Sequence, residues 1–295
     1  MDQETPALMR ARSLACWSGA VEPEPLSGGI TNLNFVVRDG GTPFFVRVGD
    51  DIPIHGILRS NELAAAKAAA AAGVSPAVIH AEPGAIVTDF IEGRTFGPED
   101  VRDPAHQAAI VELIRMVHKE MPKHLQGPIL IFWAFHVVRS YAVTLREGES
   151  RSLMRLPELL AIAEDLEQAV GPIDVVFGHN DLLAANFLDD GKRLWLVDWD
   201  YAGFNSPLFD LANVASNNEF SDDQIDALLE RYFGQAPDRA LKRRFAAMAC
   251  ASLLRETMWS MVSEIHSTLD FDYVAYTEEN LARFERTYQD FKEGA

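Results

Sequence analysis

Apolar and polar positions alternate through the N-terminal third of the chain and predict a small antiparallel sheet. Segments 33–37 and 44–48 are rich in β-branched and aromatic residues, and they flank an Asp-Gly-Gly sequence at 39–41 that is typical of a hairpin turn. Segments 78–80 and 85–91 have a similar strand-like composition. We therefore expect several short strands joined by turns in this part of the chain.

The strand at 44–48 carries a charged residue on the face that does not pack. Successive side chains of a strand point to opposite faces, so Phe44, Val46 and Val48 share one face, whereas Phe45 and Arg47 share the other. The face with the larger number of apolar residues is the expected packing face. Arg47 should therefore emerge on the opposite face, where it is available to a ligand.

Helical patterns follow this region. An alanine-rich helix is expected from a cap at Ser60 or Asn61 to Gly73, and a short helix is expected within residues 5–20. Beyond residue 91, the helical segments are approximately 104–120, 132–146, 156–169, 207–218, 222–233, 238–267 and 277–291. The sequence thus predicts an α+β fold with two lobes. Residues 1–91 form a small lobe with an antiparallel sheet and one main helix, and residues 92–295 form a larger, mostly helical lobe.

Two aspartates and an asparagine are spaced along a second predicted hairpin, in the larger lobe. Asp181 follows the apolar segment 175–177, Asn186 comes five residues later, and Asp198 ends the apolar segment 194–197. A hairpin would place its two strands side by side. Asn186 and Asp198 are therefore expected to converge on one point.

This ordered set has the residue types that phosphoryl transfer needs. Kinases place one aspartate beside the acceptor hydroxyl, and they use an asparagine and a second aspartate to hold magnesium. Asp181, Asn186 and Asp198 match these roles in order. The alternative is that Asp181 and Asn186 are turn residues and Asp198 is a solvated strand end. The turn at 189–192, which contains Asp and Gly suited to a hairpin, favours the catalytic interpretation.

A glycine-containing segment precedes the first strand of the sheet, where a loop covering phosphates would lie. Glycines let backbone amides approach anionic oxygens closely. The segment contains neither a Walker A sequence nor a complete GxGxxG. The support for a phosphate-binding loop is instead its position, one hairpin before Arg47. The candidate nucleotide-binding residues here are Ser27, Gly28, Gly29, Thr31 and Asn32.

Two further elements are candidates for nucleotide binding. Arg47 takes the position of the lysine on the third strand of protein kinases, and Glu62 in the first helix could hold it by an ion pair against the nucleotide phosphates. The alternative is an exposed salt bridge of little energetic value. Thr88, Asp89 and Phe90 end the last strand of the small lobe, where the backbone would face adenine.

Composition excludes some functions and weakly suggests others. The 295 residues carry a formal net charge of -18 without a Lys/Arg cluster, so nucleic-acid binding is not expected. An acidic surface favours cationic ligands.

The two cysteines, Cys16 and Cys250, are far apart and suggest neither a disulfide nor a zinc site. The acidic start lacks the features of a signal peptide, and no apolar segment approaches the roughly 20 residues of a membrane span. We therefore expect a cytoplasmic protein without membrane insertion.

From about residue 26 to its C-terminus, the chain resembles the choline/ethanolamine kinase branch of the aminoglycoside phosphotransferase-like superfamily. The most specific similarities are at 179–186, 197–201 and 205–213. The resemblance implies a bilobal protein-kinase-like fold, the cofactors ATP and Mg²⁺, and transfer of phosphate to a small alcohol. It implies that Asp181 is the catalytic base and that Asn186 and Asp198 bind the metal. His179 and Asp210, inside the first and third of these segments, would brace the catalytic loop or be satisfied core polar groups.

The resemblance also implies where a small cationic alcohol would bind. The candidate substrate-binding residues are Asp200, Tyr201, Glu256, Trp259, Tyr273 and Tyr276. Aromatic side chains suit a methylated ammonium group, which cannot donate hydrogen bonds, because cation-π attraction can hold it. The alternative is that Trp259, Tyr273 and Tyr276 simply pack the lobe. Glu256 departs from the family pattern, because eukaryotic choline kinases have a second tryptophan there, one helical turn before the residue that matches Trp259.

The leading hypothesis is an ATP-dependent kinase of choline, ethanolamine or a similar amino alcohol. Other acceptors within the superfamily are an aminoglycoside, thiamine, a thio-sugar or a homoserine-like metabolite. A nucleotide-binding protein without activity is a further alternative. The sequence does not decide between ATP and GTP, and it leaves a homodimer open.

Overall fold

A five-stranded antiparallel sheet forms in the N-terminal third of the chain, as the alternating segments predict. The computed structural model describes residues 5–26 and 32–294. The strands occur in the spatial order β1-β2-β3-β5-β4, and their bounds are β1 Glu24–Leu26, β2 Leu33–Asp39, β3 Thr42–Val48, β4 Val78–Glu82 and β5 Ala85–Asp89. This sheet is the framework of the smaller lobe.

The hairpin between β2 and β3 has the predicted turn. Asp39 pairs with Thr42, so only Gly40 and Gly41 lie between the paired strands. Both glycines have positive φ, +58° and +87°, as a tight hairpin turn compatible with strand twist requires. The turn therefore fixes the register that aligns Arg47 with Asn34 on the neighbouring strand.

The edge strand β1 was not predicted from the sequence, where its residues belong to a proline-rich segment. Glu24 pairs with Val36 and Leu26 with Asn34, so the segment extends the sheet beyond β2. Pro25 is compatible with this position because an edge strand has one side without a partner strand.

The helix α2, Arg59–Ala71, begins before the predicted caps at Ser60 and Asn61. The carboxylate of Asp51 accepts a hydrogen bond from the backbone N–H of Arg59 at 2.7 Å and so caps the helix from the preceding loop. Asn61 instead contacts the larger lobe, where its side chain donates to the carbonyl of Ala202 at 2.8 Å. The cap comes from a residue eight positions before the helix, outside the window in which a helix cap is sought.

The larger lobe consists mainly of helices arranged around α9. The remaining helices of the chain are α1 Pro6–Arg12, α3 Pro98–Arg102, α4 Pro104–Lys119, α5 Ala134–Glu147, α6 Leu156–Val170, α7 Pro207–Asn217, α8 Asp222–Phe233, α9 Arg239–His266 and α10 Tyr273–Glu293. Helix α9 packs against α5, α6, α7 and α10. Helix α10 begins earlier than the predicted residue 277, because the side chain of Asp272 caps it by accepting from the N–H of Ala275 at 3.0 Å.

Two small sheets support the loops of the larger lobe. Strands β6 Arg94–Thr95, β8 Phe187–Asp189 and β9 Leu194–Leu196 form one sheet, and β7 Val176–Gly178 pairs with β10 Gly203–Asn205 in the other. The β8–β9 pair is the second hairpin that the sequence predicts. It carries the segment with Asn186 and Asp198 at its open end.

The two faces of the five-stranded sheet have different partners. Val46 is buried with Phe35 and Val87 beside α1, as expected for the packing face of β3. Arg47 points to the opposite face, where Ile86 and the alanines of α2 join the core that continues into the larger lobe. Within residues 5–26 and 32–294, no helix is long and apolar enough to cross a membrane.

Candidate active site

A buried aspartate fixes the backbone of the loop between β7 and β8. Asp210, in the first turn of α7, accepts hydrogen bonds from the backbone N–H groups of His179 at 2.9 Å and Asn180 at 2.7 Å. The ring of His118 on α4 contacts the same carboxylate at 2.9 Å. Asp210 therefore fixes the backbone directly before Asp181, and His118 is a supporting residue that belongs to no recognisable sequence motif.

His179 connects this loop to the end of the hairpin. Its Nε2 atom lies 3.0 Å from the carbonyl oxygen of Val197, and its Nδ1 atom lies 3.3 Å from the backbone nitrogen of Asp181. The carbonyl can only accept and the amide can only donate, so the imidazole is neutral with its proton on Nε2. Burial also lowers the pKa of His179. The residue acts as a brace between the segments that carry Asp181 and Asp198.

Asn186 directly precedes β8 and Asp198 follows β9 by two residues, so both lie at the open end of the predicted hairpin. Phe187 pairs with Leu196, and the N–H of Val197 donates to the carbonyl of Asn186 at 3.0 Å. The side-chain nitrogen of Asn186 donates to the main-chain carbonyl of Asp181 at 2.8 Å. This contact fixes the amide nitrogen, so the amide oxygen, an atom type that can bind a metal, is on the other side of the side-chain amide.

Asp198 adopts a backbone conformation that is uncommon for residues other than glycine. Its φ angle is +70°, in the left-handed region. Such strain persists only where the surroundings hold it in place, and it often occurs at functional sites. Here it turns the chain sharply after β9, between the segment braced by His179 and the buried Asp200.

Electrostatics favour a cation near Asp198. Desolvation by the surrounding protein, followed by the neighbouring carboxylate of Asp200, raises the pKa of Asp198 to about 6, although the residue is exposed at the protein surface. Burial raises the pKa of Asp181 to about 8, and the charges of Glu256 and Asp198 act in the same direction. Within the described part of the chain, no group of three or more His, Cys, Asp and Glu side chains could hold a metal by itself. Two protein ligands suit Mg²⁺ that is also held by phosphates.

The predicted ion pair between Arg47 and Glu62 is confirmed. Nη2 of Arg47 contacts Oε1 of Glu62, and both side chains are buried. Arg47 also donates to Asp200 at 3.0 Å. Burial lowers the pKa of Arg47 to about 10, so its guanidinium is charged at neutral pH. The arginine thus joins the sheet, α2 and the end of the catalytic hairpin.

Arg59 completes this cluster and was not identified from the sequence. Its Nη1 atom lies 3.0 Å from Glu62 and 2.7 Å from Asp200, and its Nη2 donates to the side chain of Asn32 at 2.6 Å. The side-chain nitrogen of Asn32 in turn donates to Asp200 at 2.9 Å. The only sequence signal was the spacing of Arg59 three residues before Glu62 on one helix face.

Asp200 therefore differs from the expectation that it lines the acceptor pocket. Its two carboxylate oxygens accept hydrogen bonds from Arg47, Arg59 and Asn32, all from the smaller lobe. Only 3% of the surface of Asp200 is exposed, and its carboxylate is occupied by these three side chains. Its contacts are therefore with the smaller lobe and not with a pocket for the acceptor alcohol. Asp200 acts as a link between the lobes, and it holds the backbone two residues after Asp198.

The other nucleotide-binding candidates are in separate positions. Thr88 and Asp89 close β5, and Phe90 follows the strand, so these residues lie at the start of the connection between the lobes. Asp89 donates its backbone N–H to Ala77. The predicted phosphate-loop residues Ser27, Gly28, Gly29 and Thr31 lie outside the described residues.

The aromatic candidates for the acceptor site form one cluster. Nε1 of Trp259 donates to the hydroxyl of Tyr201 at 2.8 Å, and the Trp259 ring lies 6.1 Å from Tyr273 and 6.3 Å from Tyr276 between centroids. The hydroxyl of Tyr276 donates to Glu256 at 2.8 Å. Tyr201, Trp259 and Tyr273 are buried. These contacts are those of a packed cluster, with Glu256 at its polar end.

Arg255 connects this cluster to Asp181, and the sequence analysis did not assign it a role. Its Nη1 atom lies 2.8 Å from Glu256 and 3.9 Å from the carboxylate of Asp181. The guanidinium carbon lies 4.2 Å from the centroid of the Tyr201 ring. His55, from the loop before α2, reaches the same region, where its ring lies 5.1 Å from Trp259. The acceptor candidates other than Asp200 thus gather around Arg255 and the proposed base.

Comparison with known sequences gives consistent matches. A sequence model of the family described as choline/ethanolamine kinase matches residues 24–229. The chain is 27% identical over 285 residues to a probable ethanolamine kinase of Arabidopsis thaliana, covering 86% of this chain and 76% of that protein. It is 28% identical over 291 residues to ethanolamine kinase 2 of Mus musculus, covering 87% and 73%. The matched range contains the whole segment from Asp181 to Asp198.

Comparison with solved structures confirms the predicted kinase-like fold. A choline/ethanolamine kinase family protein from Mesorhizobium loti superposes with a TM-score of 0.76 and 28% identity, covering 98% of this chain and 96% of that one. A spectinomycin phosphotransferase superposes with a TM-score of 0.62 and 13% identity, covering 92% and 95%. The second likeness extends to the fold alone.

Proposed function

This chain belongs to the choline/ethanolamine kinase family, and we propose that it transfers the γ-phosphate of ATP to the hydroxyl group of ethanolamine, choline or a similar amino alcohol. Its membership of the family makes it a phosphotransferase with an alcohol group as acceptor. The observation that best supports the proposed roles is the position of Asp181. Its main chain contacts Asn186 at 2.8 Å, and its carboxylate lies 3.9 Å from Arg255 in the aromatic cluster.

Asp181 is the proposed base. The hydroxyl of the acceptor would donate to its carboxylate, which orients the attacking oxygen and receives the proton as the bond to phosphorus forms. Positioning is the main requirement, because the transition state of phosphoryl transfer is loose and needs little covalent assistance. A pKa near the working pH suits a group that must accept a proton and later release it.

Asn186 and Asp198 are the proposed ligands of Mg²⁺. One amide oxygen and one carboxylate at the open end of the β8–β9 hairpin would provide the hard oxygen donors that this cation prefers, and phosphate oxygens would complete its coordination. When bound, Mg²⁺ would neutralise charge on the phosphates. The raised pKa of Asp198 supports this assignment, because a nearby cation would relieve the repulsion between Asp198 and Asp200.

The nucleotide is proposed to bind between the sheet and the hairpin. Arg47, held by Glu62 and Asp200, would contact the phosphates, and Ser27, Gly28, Gly29, Thr31 and Asn32 would cover them. The backbone at Thr88, Asp89 and Phe90 would face adenine. Because the reaction consumes ATP, we place the enzyme in the cytoplasm.

The acceptor is proposed to lie between Asp181 and the aromatic cluster. Glu256 would attract its ammonium group, and Tyr201, Trp259, Tyr273 and Tyr276 would form the surrounding wall. The negative charge of Glu256 suits an ammonium group that can donate hydrogen bonds better than a second aromatic ring would. This preference favours ethanolamine over choline.

ADP release from Mg-ATP in the presence of ethanolamine, choline, thiamine and several aminoglycosides tests the proposal. We expect turnover with the amino alcohols. Asp181→Asn should slow turnover strongly while nucleotide binding, measured by titration, changes little. Asp181→Asn turning over as fast as the parent would contradict the role of this residue, and turnover of another alcohol alone would contradict the acceptor class.

A further inference from the structure

Arg255 is a fully charged group in the interior of the larger lobe. Only 2% of its surface is exposed, and it lies in the middle of α9, which is buried on most sides. Among residues 5–26 and 32–294, its ion-pair contacts involve Nη1, which lies 2.8 Å from Glu256 and 3.9 Å from Asp181. A guanidinium is expected to be buried only where its charge and its donors are used.

One edge of this guanidinium lacks a well-formed hydrogen bond to the described residues, although the hydroxyl of Tyr141 lies close enough to interact with the group. Nε and Nη2 of Arg255 are buried, and neither makes a hydrogen bond with the described residues. Leaving buried donors unpaired is costly, and such groups are rare in folded proteins. The two atoms lie on the same side of the planar guanidinium. They therefore present the parallel pair of N–H groups that binds both oxygens of a carboxylate.

The aromatic surface beside this edge is already occupied by a cation. The guanidinium carbon of Arg255 lies 4.2 Å from the centroid of Tyr201 and 5.5 Å from that of Phe132. A quaternary ammonium ion placed on the same face of Tyr201 would have to displace Arg255 from its cation-π contact. The cluster therefore offers less to a methylated ammonium than its aromatic content suggests.

A cleft of about 290 Å³ adjoins the same side chains. Phe132, Tyr141 and Tyr201 line it, and two of these rings are the ones that the guanidinium contacts. Burial and the nearby charge of Glu256 keep the hydroxyl of Tyr141 protonated, since both raise its pKa. Phe132 and Tyr201 thus border both the guanidinium of Arg255 and this cleft.

We propose that the acceptor of this enzyme carries a carboxylate in addition to its hydroxyl and ammonium groups, and that the Nε–Nη2 edge of Arg255 binds the carboxylate. The inference rests on the proposed function, since it assigns the acceptor class of the same site. The edge is closed to solvent in this structure, so an incoming carboxylate must displace one of the rings beside it. Glu256 binds the ammonium group, while Asp181 receives the hydroxyl.

Ethanolamine and serine make a matched pair for the test, because serine is ethanolamine with a carboxylate added at the carbon that bears the amino group. The full chain is assayed with Mg-ATP for kcat and KM on ethanolamine, choline, both enantiomers of serine, and homoserine. Arg255→Lys keeps the positive charge but removes the two-pronged edge. Arg151→Lys is the control variant, since Arg151 is exposed and pairs with Glu264 on the outer surface of α9.

We expect at least one carboxylate-bearing acceptor to have a kcat/KM about tenfold or more above that of ethanolamine. In Arg255→Lys this ratio should fall about tenfold or more, mainly through KM, while Arg151→Lys keeps the ratio of the parent. Lysine retains a charge beside Glu256, so the variant should fold; its thermal unfolding is recorded alongside. Binding of serine and homoserine in the presence of a non-hydrolysable ATP analogue gives a second readout that does not depend on turnover.

Three results would overturn the inference. The first is turnover of ethanolamine or choline without turnover or binding of a carboxylate-bearing acceptor, which leaves the proposed function intact. The second is an equal loss for all acceptors in Arg255→Lys. The third is failure of the chain to transfer phosphate to any alcohol, which would overturn the proposed function as well.

Discussion

Replacing Asp181 with asparagine should stabilise the folded protein at neutral pH while it impairs catalysis. Burial is the main cause that raises the pKa of Asp181 from 3.8 to about 8. At pH 7 the folded state must either take up a proton or hold a poorly solvated charge, whereas the unfolded chain is ionised at no such cost. Asparagine has nearly the same shape and carries no charge, so the variant escapes this penalty.

The size of the stabilisation by Asp181→Asn follows from the raised pKa of Asp181. Each pKa unit corresponds to about 1.4 kcal/mol, so the interval between 3.8 and pH 7 sets an upper limit of about 4 kcal/mol. The value of about 8 already includes the attraction between Asp181 and Arg255 at 3.9 Å, and solvent screening of the carboxylate, which is 17% exposed, reduces the gain to about 2 kcal/mol. With an unfolding entropy of about 2.1 cal/mol/K per residue, that gain raises the Tm of the 295-residue chain by about 3 °C.

The direction of the pKa shift determines how the contribution of Asp181 to folding stability changes with pH. A carboxyl group with a raised folded pKa binds more protons in the folded state than in the unfolded state between pH 3.8 and about 8. Its contribution to parent stability therefore falls as pH rises through this range. The advantage of Asp181→Asn should be small at about pH 4, grow steadily, and level off above about pH 8.

Thermal unfolding in metal-free buffer across this pH range measures the effect. Asp190→Asn is a control with the opposite sign. Hydrogen bonds from the side chain of Trp195 and from backbone N–H groups lower the pKa of Asp190 to about 2, so its carboxylate stabilises the fold at pH 7 and the substitution should lower Tm. A Tm for Asp181→Asn that equals or falls below that of the parent at pH 7–8 would refute the reasoning, as would a gain that does not vary with pH.

Three further predictions concern neighbouring groups. Glu256→Gln should move the rising limb of kcat/KM against pH to lower pH, because the charge of Glu256 helps to raise the pKa of Asp181; an unchanged limb would contradict this coupling. His55→Ala should lower stability by about 1–3 kcal/mol in denaturant titration, because it removes the contact with Ser263 at 3.2 Å that joins the loop before α2 to α9; an unchanged midpoint would show that the contact does not hold the lobes together. Asp198→Asn should abolish Mg²⁺-dependent turnover, and residual activity that still saturates with Mg²⁺ would place the metal elsewhere.

The catalytic hairpin was predictable because each of its parts has a local signal. Asp181, Asn186 and Asp198 follow short apolar segments, and the turn at 189–192 has the residues of a hairpin. Strand alternation likewise placed Arg47 on the face that meets Glu62. These features depend on residues close in sequence or on one regular element, which pattern analysis can resolve.

The residues that the sequence did not reveal act across the lobes. Arg59 meets Asp200 from 141 residues away, and His55 meets Ser263 from 208 residues away. Nothing in the local sequence distinguishes such a residue from a solvent-exposed one. Arg255 did have a signal, since the ten preceding residues, 245–254, contain no charged side chain. A charge at the end of such an apolar helical segment indicates burial, and burial requires a partner.

Phosphorus NMR of a reaction that contains the chain, Mg-ATP and ethanolamine or serine tests the central claim most directly. The account predicts that a phosphomonoester of the amino alcohol appears together with ADP, and that Asp181→Asn forms it far more slowly although it still binds nucleotide. Release of ADP with inorganic phosphate alone, or equal product formation by Asp181→Asn, would contradict the account.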